Sequence, residues 1–318
     1  MTIPFISADD MRGGLNFAGL IEALRTEHLN ESPEMERTLM TQEMSEASDR
    51  SYVAWHAWTH DDLLSVKLIT VFPDNPQAQV PIPAIHALIT LFDGHHGRPL
   101  ALLDGTELTN WKTAAETALA TDLLARKDAQ SLLIVGAGAL APYHIRALLT
   151  ARPGISRVMV WNRSRSKAMK MSEDMTTPIE IIDDLSLAVQ EADIIVTLTS
   201  ASEPLVRGAW LKPGTHLSLV GSFTPTMREV DDEVMRRGKI FVDTHQFSVE
   251  HCGDLVQPIA AGVISAADIQ ADLFALCQNS HPGRSNEVEI TVFKNAGGAH
   301  LDMYAAKFCL ACCADNVN

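Results

Sequence analysis

The stretch "VGAGALAP" at residues 135–142 decides the fold of this 318-residue chain. Gly136, Gly138 and Ala141 give the spacing G-x-G-x-x-A, directly after the apolar run "SLLI" and before the helical pattern "ALAPYHIRALLTA". In that context the first glycine permits a tight turn and the second lets the backbone approach a pyrophosphate, while the alanine allows close packing of helix on strand. The stretch therefore predicts a dinucleotide site at the N-terminus of a helix.

The sequence on either side of this turn predicts two domains of different architecture. After it, the apolar runs "RVMVWN", "DIIVTLTS" and "HLSLVGSF" alternate with helical segments, which is the pattern of a doubly wound parallel sheet. Before it, "YVAWHAW", "LLSVKLITVF", "PAIHALITLFD" and "RPLALLDG" are β-rich runs separated by turn residues, which predicts an antiparallel sheet. We expect an α/β protein with a Rossmann domain at residues 119–296. An α+β domain at residues 1–118 is completed by a C-terminal helix at residues 297–318.

Composition excludes several classes of function. Lys and Arg number 25 against 40 Asp and Glu, and the net charge of −15 repels phosphate polyanions, so a nucleic-acid partner is not expected. Apolar runs stay short of membrane-spanning length, and residues 1–11 lack the features of a signal peptide, so we expect a cytoplasmic protein with no membrane partner. Cys309 and Cys312 have CxxC spacing but no second ligand pair, which favours buried helix cysteines over a metal site.

The residues after the second strand of the nucleotide domain indicate which dinucleotide binds. "VMVWNRSRSK" places Asn162 where an NAD site carries Asp or Glu, followed by Arg163, Ser164, Arg165 and Lys167. No carboxylate repels a 2′-phosphate there, and the cations with a hydroxyl can hold one. We expect NADPH to be favoured over NADH; the alternative is a solvated basic start of a helix.

Several longer stretches carry a resemblance to a known family. "VKLITVFPDN", "LFDGHHGRPLALLDGTELTNWKTAAETALA", "VGAGALA", "VWNRS", "DIIVTLTS", "VGSFTPTMREVDDE" and "GDL" follow one another in the order found in the ornithine cyclodeaminase/mu-crystallin family. The chain resembles that family over nearly its whole length. The resemblance implies a homodimer whose first domain joins the protomers and carries the substrate site, facing a Rossmann domain across a cleft. It also implies either cyclodeamination, reduction of a C=N bond beside a carboxylate, or alanine dehydrogenation.

The resemblance also assigns roles to individual residues. Lys67 matches the active-site lysine of the family and is the leading proton source; Lys112 stands where the family commonly has an Arg that contacts substrate or cofactor. Arg37 is expected to grip the substrate carboxylate, unless it is a flexible surface arginine. His86 is a weak acid–base candidate, and Asp302 either caps a helix or touches the site. The positions that would line the cofactor are Lys112, Gly136, Ala137, Gly138, Ala139, Leu140, Asn162, Arg163, Ser164, Lys167, Thr199, Val220 and Asn295.

One position separates the chemistries of the family. Cyclodeaminases carry an Asp two residues after the glycine that matches Gly221, and this chain has Phe223, whose ring cannot accept a proton. We therefore expect Phe223 to wall the substrate site of an NADPH-dependent reductase of cyclic ketimine carboxylates. Its substrate would be 1-pyrroline-2-carboxylate, giving L-proline, with 1-piperideine-2-carboxylate, giving L-pipecolate, as a second candidate. The alternatives are an ornithine cyclodeaminase with bound NAD, or a non-catalytic binding protein like mu-crystallin.

Overall fold

The structure, a computed structural model, describes residues 3–45 and 47–313 and divides the chain into two units. The first unit comprises Met1–Lys112 with Gly297–Asn318, and the second comprises Thr113–Ala296. The strands are β1 (Phe5–Ile6), β2 (Glu34–Gln42), β3 (Arg50–Trp58), β4 (Leu63–Val71), β5 (Ile85–Asp93), β6 (Pro99–Asp104), β7 (Ser131–Val135), β8 (Arg157–Trp161), β9 (Glu180–Ile182), β10 (Ile194–Thr197), β11 (His216–Leu219), β12 (Gly238–Val242), β13 (Ile269–Asp272) and β14 (Ile290–Lys294). The helices are α1 (Ala8–Gly14), α2 (Phe17–Glu27), α3 (Gly105–Leu124), α4 (Leu140–Ala151), α5 (Arg165–Glu173), α6 (Leu185–Glu191), α7 (Asp232–Arg237), α8 (His245–His251), α9 (Gly253–Ala260), α10 (Leu273–Cys277) and α11 (Ala299–Cys313).

The first unit is built on a mixed sheet with the strand order β1-β6-β5-β4-β3-β2. Strands β2 to β6 pair antiparallel with their neighbours, while the short β1 runs parallel to β6. Because side chains alternate between the faces of a strand, Lys67 and Ser65 of β4 lie on one face and Val66 and Leu68 on the other. The antiparallel sheet that the sequence predicts is confirmed.

Strand β2 was not expected from the sequence. The segment reads "EMERTLMTQ", most of its residues are exposed, and its polar composition favours a loop. In the structure it pairs along its whole length with β3, from Glu34 opposite Trp58 to Gln42 opposite Arg50. An edge strand of this kind is held by backbone hydrogen bonds to its neighbour, so its own sequence need not carry the apolar alternation.

The second unit is a doubly wound parallel sheet, as predicted. Its strand order is β13-β12-β14-β11-β10-β7-β8-β9, and each neighbouring pair is parallel. The run β9-β8-β7-β10-β11 corresponds to the order 3-2-1-4-5 of Rossmann folds. Leu133, Ile195 and Leu217 lie in its buried core. Strands β8 and β10 pair with β7 on its two opposite sides, so the strand order reverses at β7. In folds of this kind, ligands bind outside the carboxyl ends of the strands at this point of reversal.

In the described part of the chain, no helix is both long and apolar enough to span a bilayer. Residues 3–45 and 47–313 also contain no group of three or more His, Cys, Asp or Glu side chains arranged to hold a metal ion. Cys309 and Cys313 are buried in α11, while Cys312 is partly exposed.

Candidate active site

The two glycines of the turn after β7 have different local requirements. Gly136 has φ of +118°, a conformation that favours glycine, and a Cβ added there would lie 2.7 Å from the carbonyl oxygen of Leu198. At Gly138, by contrast, an added Cβ would meet no neighbouring atom within 4 Å in the described part of the chain. The fold itself therefore requires Gly136, whereas the open space beside Gly138 suits a ligand that approaches the backbone.

The N-terminus of α4 provides donors for an anion. The residue before the helix, Ala139, has no side chain that could cap it, and Leu140 begins the first turn. Within that turn the N–H of Ala141 bonds to the carbonyl oxygen of Gly138 at 3.1 Å. The uncapped first turn and the positive end of the helix dipole favour a phosphate group. These features fit the pyrophosphate of a dinucleotide.

Asn162 connects the glycine turn to the segment that follows β8. Its Oδ1 accepts a hydrogen bond from the N–H of Ala137 at 3.1 Å, and its Nδ2 donates to the carbonyl oxygen of Ser164 at 2.8 Å. The side chain thus fixes two loops that the sequence assigns to the cofactor. A cofactor contact by Asn162 itself stays a prediction.

The basic residues of this segment are not equivalent. Arg165 is paired with Asp183. Arg163 and Lys167 are exposed, and neither side chain forms a hydrogen bond or an ion pair with another of the described residues. Two cations are therefore available for an anionic ligand beside the Ser164 turn, and the strand end carries no carboxylate.

Three more of the predicted cofactor positions follow the carboxyl ends of neighbouring strands. Thr199 comes after β10, Val220 directly follows β11, and Asn295 directly follows β14. Val220 and Asn295 are buried, and the side-chain amide of Asn295 donates to Thr117 Oγ1 at 3.2 Å. The topology brings these positions to one edge of the parallel sheet.

A buried histidine extends this hydrogen-bonded chain into α4. His144 Nδ1 lies 2.9 Å from the carbonyl oxygen of Leu140, and Nε2 lies 3.3 Å from Thr117 Oγ1. Burial lowers the pKa of His144 to about 4, so the ring is neutral at physiological pH. Because a carbonyl oxygen only accepts, the proton of the neutral ring is on Nδ1. Thr117 thus links the first turn of α4 to Asn295.

Glu229 connects the ends of two neighbouring strands, a role that was not predicted from the sequence. This buried carboxyl accepts hydrogen bonds from Thr197 Oγ1, from the N–H and Oγ1 of Thr199, and from the N–H of Gly221, at 2.7–2.8 Å. Burial and the nearby Asp254 raise its pKa. Glu229 joins the ends of β10 and β11 and thereby fixes the start of the loop that carries Phe223. Its contacts depend on tertiary structure, and no spacing in the sequence indicates them.

The register of the first sheet brings Arg37 and Lys67 to the same face. Arg37 pairs with Trp55, Trp55 pairs with Lys67, and Lys67 pairs with Ile89. Arg37 and Lys67 therefore lie two strands apart, roughly 10 Å between backbones. The Arg37 guanidinium carbon is 5.5 Å from the centroid of the Trp55 ring, a cation–π distance.

Lys67 and Lys112 share one buried carboxylate. Lys67 Nζ donates to Thr109 Oγ1 at 2.6 Å and to Asp302 Oδ1 at 3.1 Å. Lys112 Nζ donates to the carbonyl oxygen of Gly297 at 3.1 Å and lies 3.4 Å from the same Asp302 oxygen. Asp302 thus contacts both predicted site lysines, and its place in the active site stays a prediction. We define Lys67, Lys112 and Asp302 as the lysine cluster.

Burial and charge act against each other on Lys67. Its side chain is only 7% exposed, and burial lowers its pKa, as does the neighbouring Lys112, while Asp302 opposes both. A buried lysine with a lowered pKa exchanges a proton more readily than a lysine in water. The cluster carries two cations and one anion, and its excess positive charge suits a carboxylate ligand.

The remaining candidates have different settings. Phe223 is 56% exposed in the loop after β11, where it has room to contact a ligand. His86 pairs with Thr70, and the alternation of side chains puts it on the sheet face opposite Lys67. The structure therefore does not bring His86 to the lysine cluster.

Comparison with known proteins places this chain in a family. The model of the ornithine cyclodeaminase/mu-crystallin family matches residues 7–313. The chain belongs to the ornithine cyclodeaminase/mu-crystallin family. The predicted membership in this family and the predicted fold class are both confirmed.

Members of the ornithine cyclodeaminase/mu-crystallin family that resemble this chain include named reductases. The Delta(1)-pyrroline-2-carboxylate reductase of Paracoccus denitrificans is 38% identical over 96% of this chain and 95% of the relative. The mouse ketimine reductase mu-crystallin is 35% identical over 78% of this chain and 75% of the relative. The structure of Thermococcus litoralis Delta(1)-pyrroline-2-carboxylate reductase in complex with NADH and L-proline matches with a TM-score of 0.90 and 29% identity. That match covers 99% of this chain and 98% of the other.

Proposed function

We propose that this protein uses NADPH to reduce cyclic ketimine carboxylates, converting 1-pyrroline-2-carboxylate to L-proline and 1-piperideine-2-carboxylate to L-pipecolate. The observation that carries the proposal is the lysine cluster, in which two buried ammonium groups share one carboxylate. A substrate carboxylate would complete the charge balance of this site. The reductases named among the relatives, one of them in complex with NADH and L-proline, support the same class of reaction.

The lysine cluster would bind and protonate the substrate. Lys112 and Arg37 attract the substrate carboxylate and orient the ring, and such positioning supplies much of an enzymatic rate enhancement. Lys67, with its lowered pKa, donates a proton to the imine nitrogen and makes the C=N bond a better hydride acceptor. When bound, NADPH supplies a hydride to C2. The nitrogen gains one proton and C2 one hydride, so the imine becomes a secondary amine.

Phe223 supports reduction over deamination. Loss of ammonia from ornithine requires a group that accepts protons from an amine, and a phenyl ring cannot do so. The exposed ring of Phe223 instead offers an apolar wall for the methylene groups of a cyclic imine. The cyclodeaminase alternative lacks this required acceptor in the Gly221–Phe223 segment.

The preference for NADPH rests on the segment after β8. Arg163 and Lys167 are exposed cations without assigned partners in the described part of the chain, and Asn162 replaces the carboxylate that would repel a 2′-phosphate. Arg163 would hold the 2′-phosphate by a forked hydrogen-bonded contact. Ser164 and Lys167 would complete the site.

A homodimer is part of the proposal. On the sheet face opposite Lys67, the side chains of Leu64, Val66 and Leu68 are only partly buried, and Trp58 is 52% exposed. A groove of about 490 Å³ runs along this face, lined in part by Trp58, Val66 and Phe92. A contiguous apolar surface of this kind is typical of a protein interface, and a second copy of the chain would cover it.

A substrate panel tests the proposed function. The purified protein is assayed with 1-pyrroline-2-carboxylate, 1-piperideine-2-carboxylate and an open-chain keto acid plus amine, each with NADPH and with NADH. We expect the cyclic imines to be reduced, faster with NADPH. Binding of NADPH without turnover of any imine would instead support the non-catalytic alternative.

A further inference from the structure

We infer that Asp302 is a positioning residue that keeps Lys67 in its charged, proton-donating form, and that Lys112 acts on Lys67 in the opposite sense. The inference deepens the proposed function, because Lys67 is the proposed proton donor. Asp302 would act on the substrate through Lys67.

The geometry gives Asp302 control over both lysines. Its Oδ1 lies 3.1 Å from Lys67 Nζ and 3.4 Å from Lys112 Nζ, and all three side chains are buried. Its Oδ2 is buried and has no hydrogen-bond partner among the described residues. Asp302 therefore acts on the lysines through the charge at one shared oxygen. Without that charge, two buried ammonium groups would face each other, and one of them would lose its proton.

Thr109, Arg37 and His300 do not supply a second counter-charge to Lys67. Thr109, from α3, is neutral, and because its Oγ1 donates to the Gly105 carbonyl oxygen at 2.6 Å it accepts from Lys67. Arg37, on the same sheet face, adds positive charge. On α11, burial holds the pKa of His300 well below its ordinary value, and the neighbouring His28 and Lys112 lower it further, so its ring is neutral.

The carboxylate of Glu107, at the start of α3, is bonded to Arg12 at 3.0 Å. In the part of the chain that the structure describes, Asp302 is thus the carboxylate that forms an ion pair with Lys67. Asp302 raises the pKa of Lys67, whereas Lys112 lowers it.

Two substitutions are expected to shift the pH at which Lys67 loses its proton, one downward and the other upward. Asp302→Asn preserves shape and removes the negative charge, so Lys67 loses its proton at lower pH. Lys112→Met removes the competing positive charge, so Lys67 keeps its proton to higher pH. An opposite charge within about 4–6 Å changes such a titration by about one pH unit or more. As a proton donor, Lys67 is active below its pKa, so the alkaline limb of kcat moves in the same direction as the titration.

The titration of Lys67 is measured by NMR on protein labelled with ¹³C in the lysine side chains, with Lys67→Arg assigning the resonance. The alkaline limb of kcat with 1-pyrroline-2-carboxylate is measured on the same variants. Asp302→Glu, which keeps the charge, should restore the limb toward wild type. Asp62→Asn serves as the control. Asp62 forms an exposed ion pair with Lys307, which lies on the same helix α11 as Asp302, so its substitution should change neither measurement.

We expect the midpoint of the Lys67 titration to lie at lower pH in Asp302→Asn and at higher pH in Lys112→Met than in wild type. The inference is overturned if Lys67 titrates as in wild type in both variants, or moves in the same direction in both. If Asp302→Asn fails to fold, Lys112→Met decides alone, and an unchanged or lower titration of Lys67 overturns the inference. If the titration of Lys67 moves in opposite directions in the two variants but no imine is turned over, the proposed function is refuted and the inference stays intact.

Discussion

Gly138→Ala is expected to separate binding of the dinucleotide from folding. The Cβ of an alanine at this position would meet no neighbouring atom within 4 Å in the described part of the chain, so the free energy of unfolding should change by less than about 0.5 kcal/mol. A pyrophosphate on the first turn of α4 would instead contact the new methyl group. The added methyl group in a filled site costs about 1–3 kcal/mol, or roughly a five- to 150-fold increase in the Kd for NADPH.

Two other glycines provide comparisons for this experiment. Gly13→Ala also adds a Cβ into open space, but in α1, so it should leave NADPH binding as in wild type and should not lower stability, since Ala favours a helix more than Gly does. Gly136→Ala should destabilise the fold itself, because its Cβ would lie 2.7 Å from the Leu198 carbonyl oxygen. NADPH binding is followed by nicotinamide fluorescence and stability by urea unfolding. Wild-type affinity in Gly138→Ala would refute the assignment of the pyrophosphate site.

Three further substitutions test the site. Arg163→Ala should weaken NADPH binding by about 1.5–3 kcal/mol, tenfold or more, and leave NADH nearly unchanged in fluorescence titrations; equal losses for both cofactors would contradict the 2′-phosphate assignment. Lys67→Ala should abolish most imine reduction while NADPH binding stays close to wild type, and turnover within a few-fold of wild type would show that the catalytic site is wrongly placed. Phe223→Asp alone should not release ammonia from L-ornithine in a coupled ammonia assay, because the rest of the pocket is unchanged; release at a rate comparable to imine reduction would mean that this one residue separates the chemistries.

Local sequence signals predicted those parts of the fold that depend on neighbouring residues. The turn at Gly136 and the alternating apolar runs after it identify the parallel sheet, because both the turn and the strands are encoded by short segments. Strand β2 was missed because an edge strand depends on its neighbour, and the segment itself is polar and mostly exposed. His86 shows the opposite limit, since only the pairing with Thr70 establishes which sheet face it occupies.

The candidate site was predicted in its components and not in its connections. The resemblance to the family pointed to Lys67 and Lys112, but Asp302, 235 positions from Lys67, was undecided between a helix cap and a site residue. Only the tertiary structure brings its carboxylate to both lysines. Glu229 was likewise not predicted to connect two strand ends, because its partners lie at the end of β10 and in the segments after β10 and β11.

We propose that this chain reduces a preformed cyclic imine and does not deaminate ornithine. The most direct measurement compares two rates of one purified preparation: NADPH oxidation with 1-pyrroline-2-carboxylate, and ammonia release from L-ornithine with added NAD. We expect rapid NADPH oxidation with formation of L-proline, and no release of ammonia from L-ornithine. Ammonia release at a rate comparable to imine reduction would contradict it.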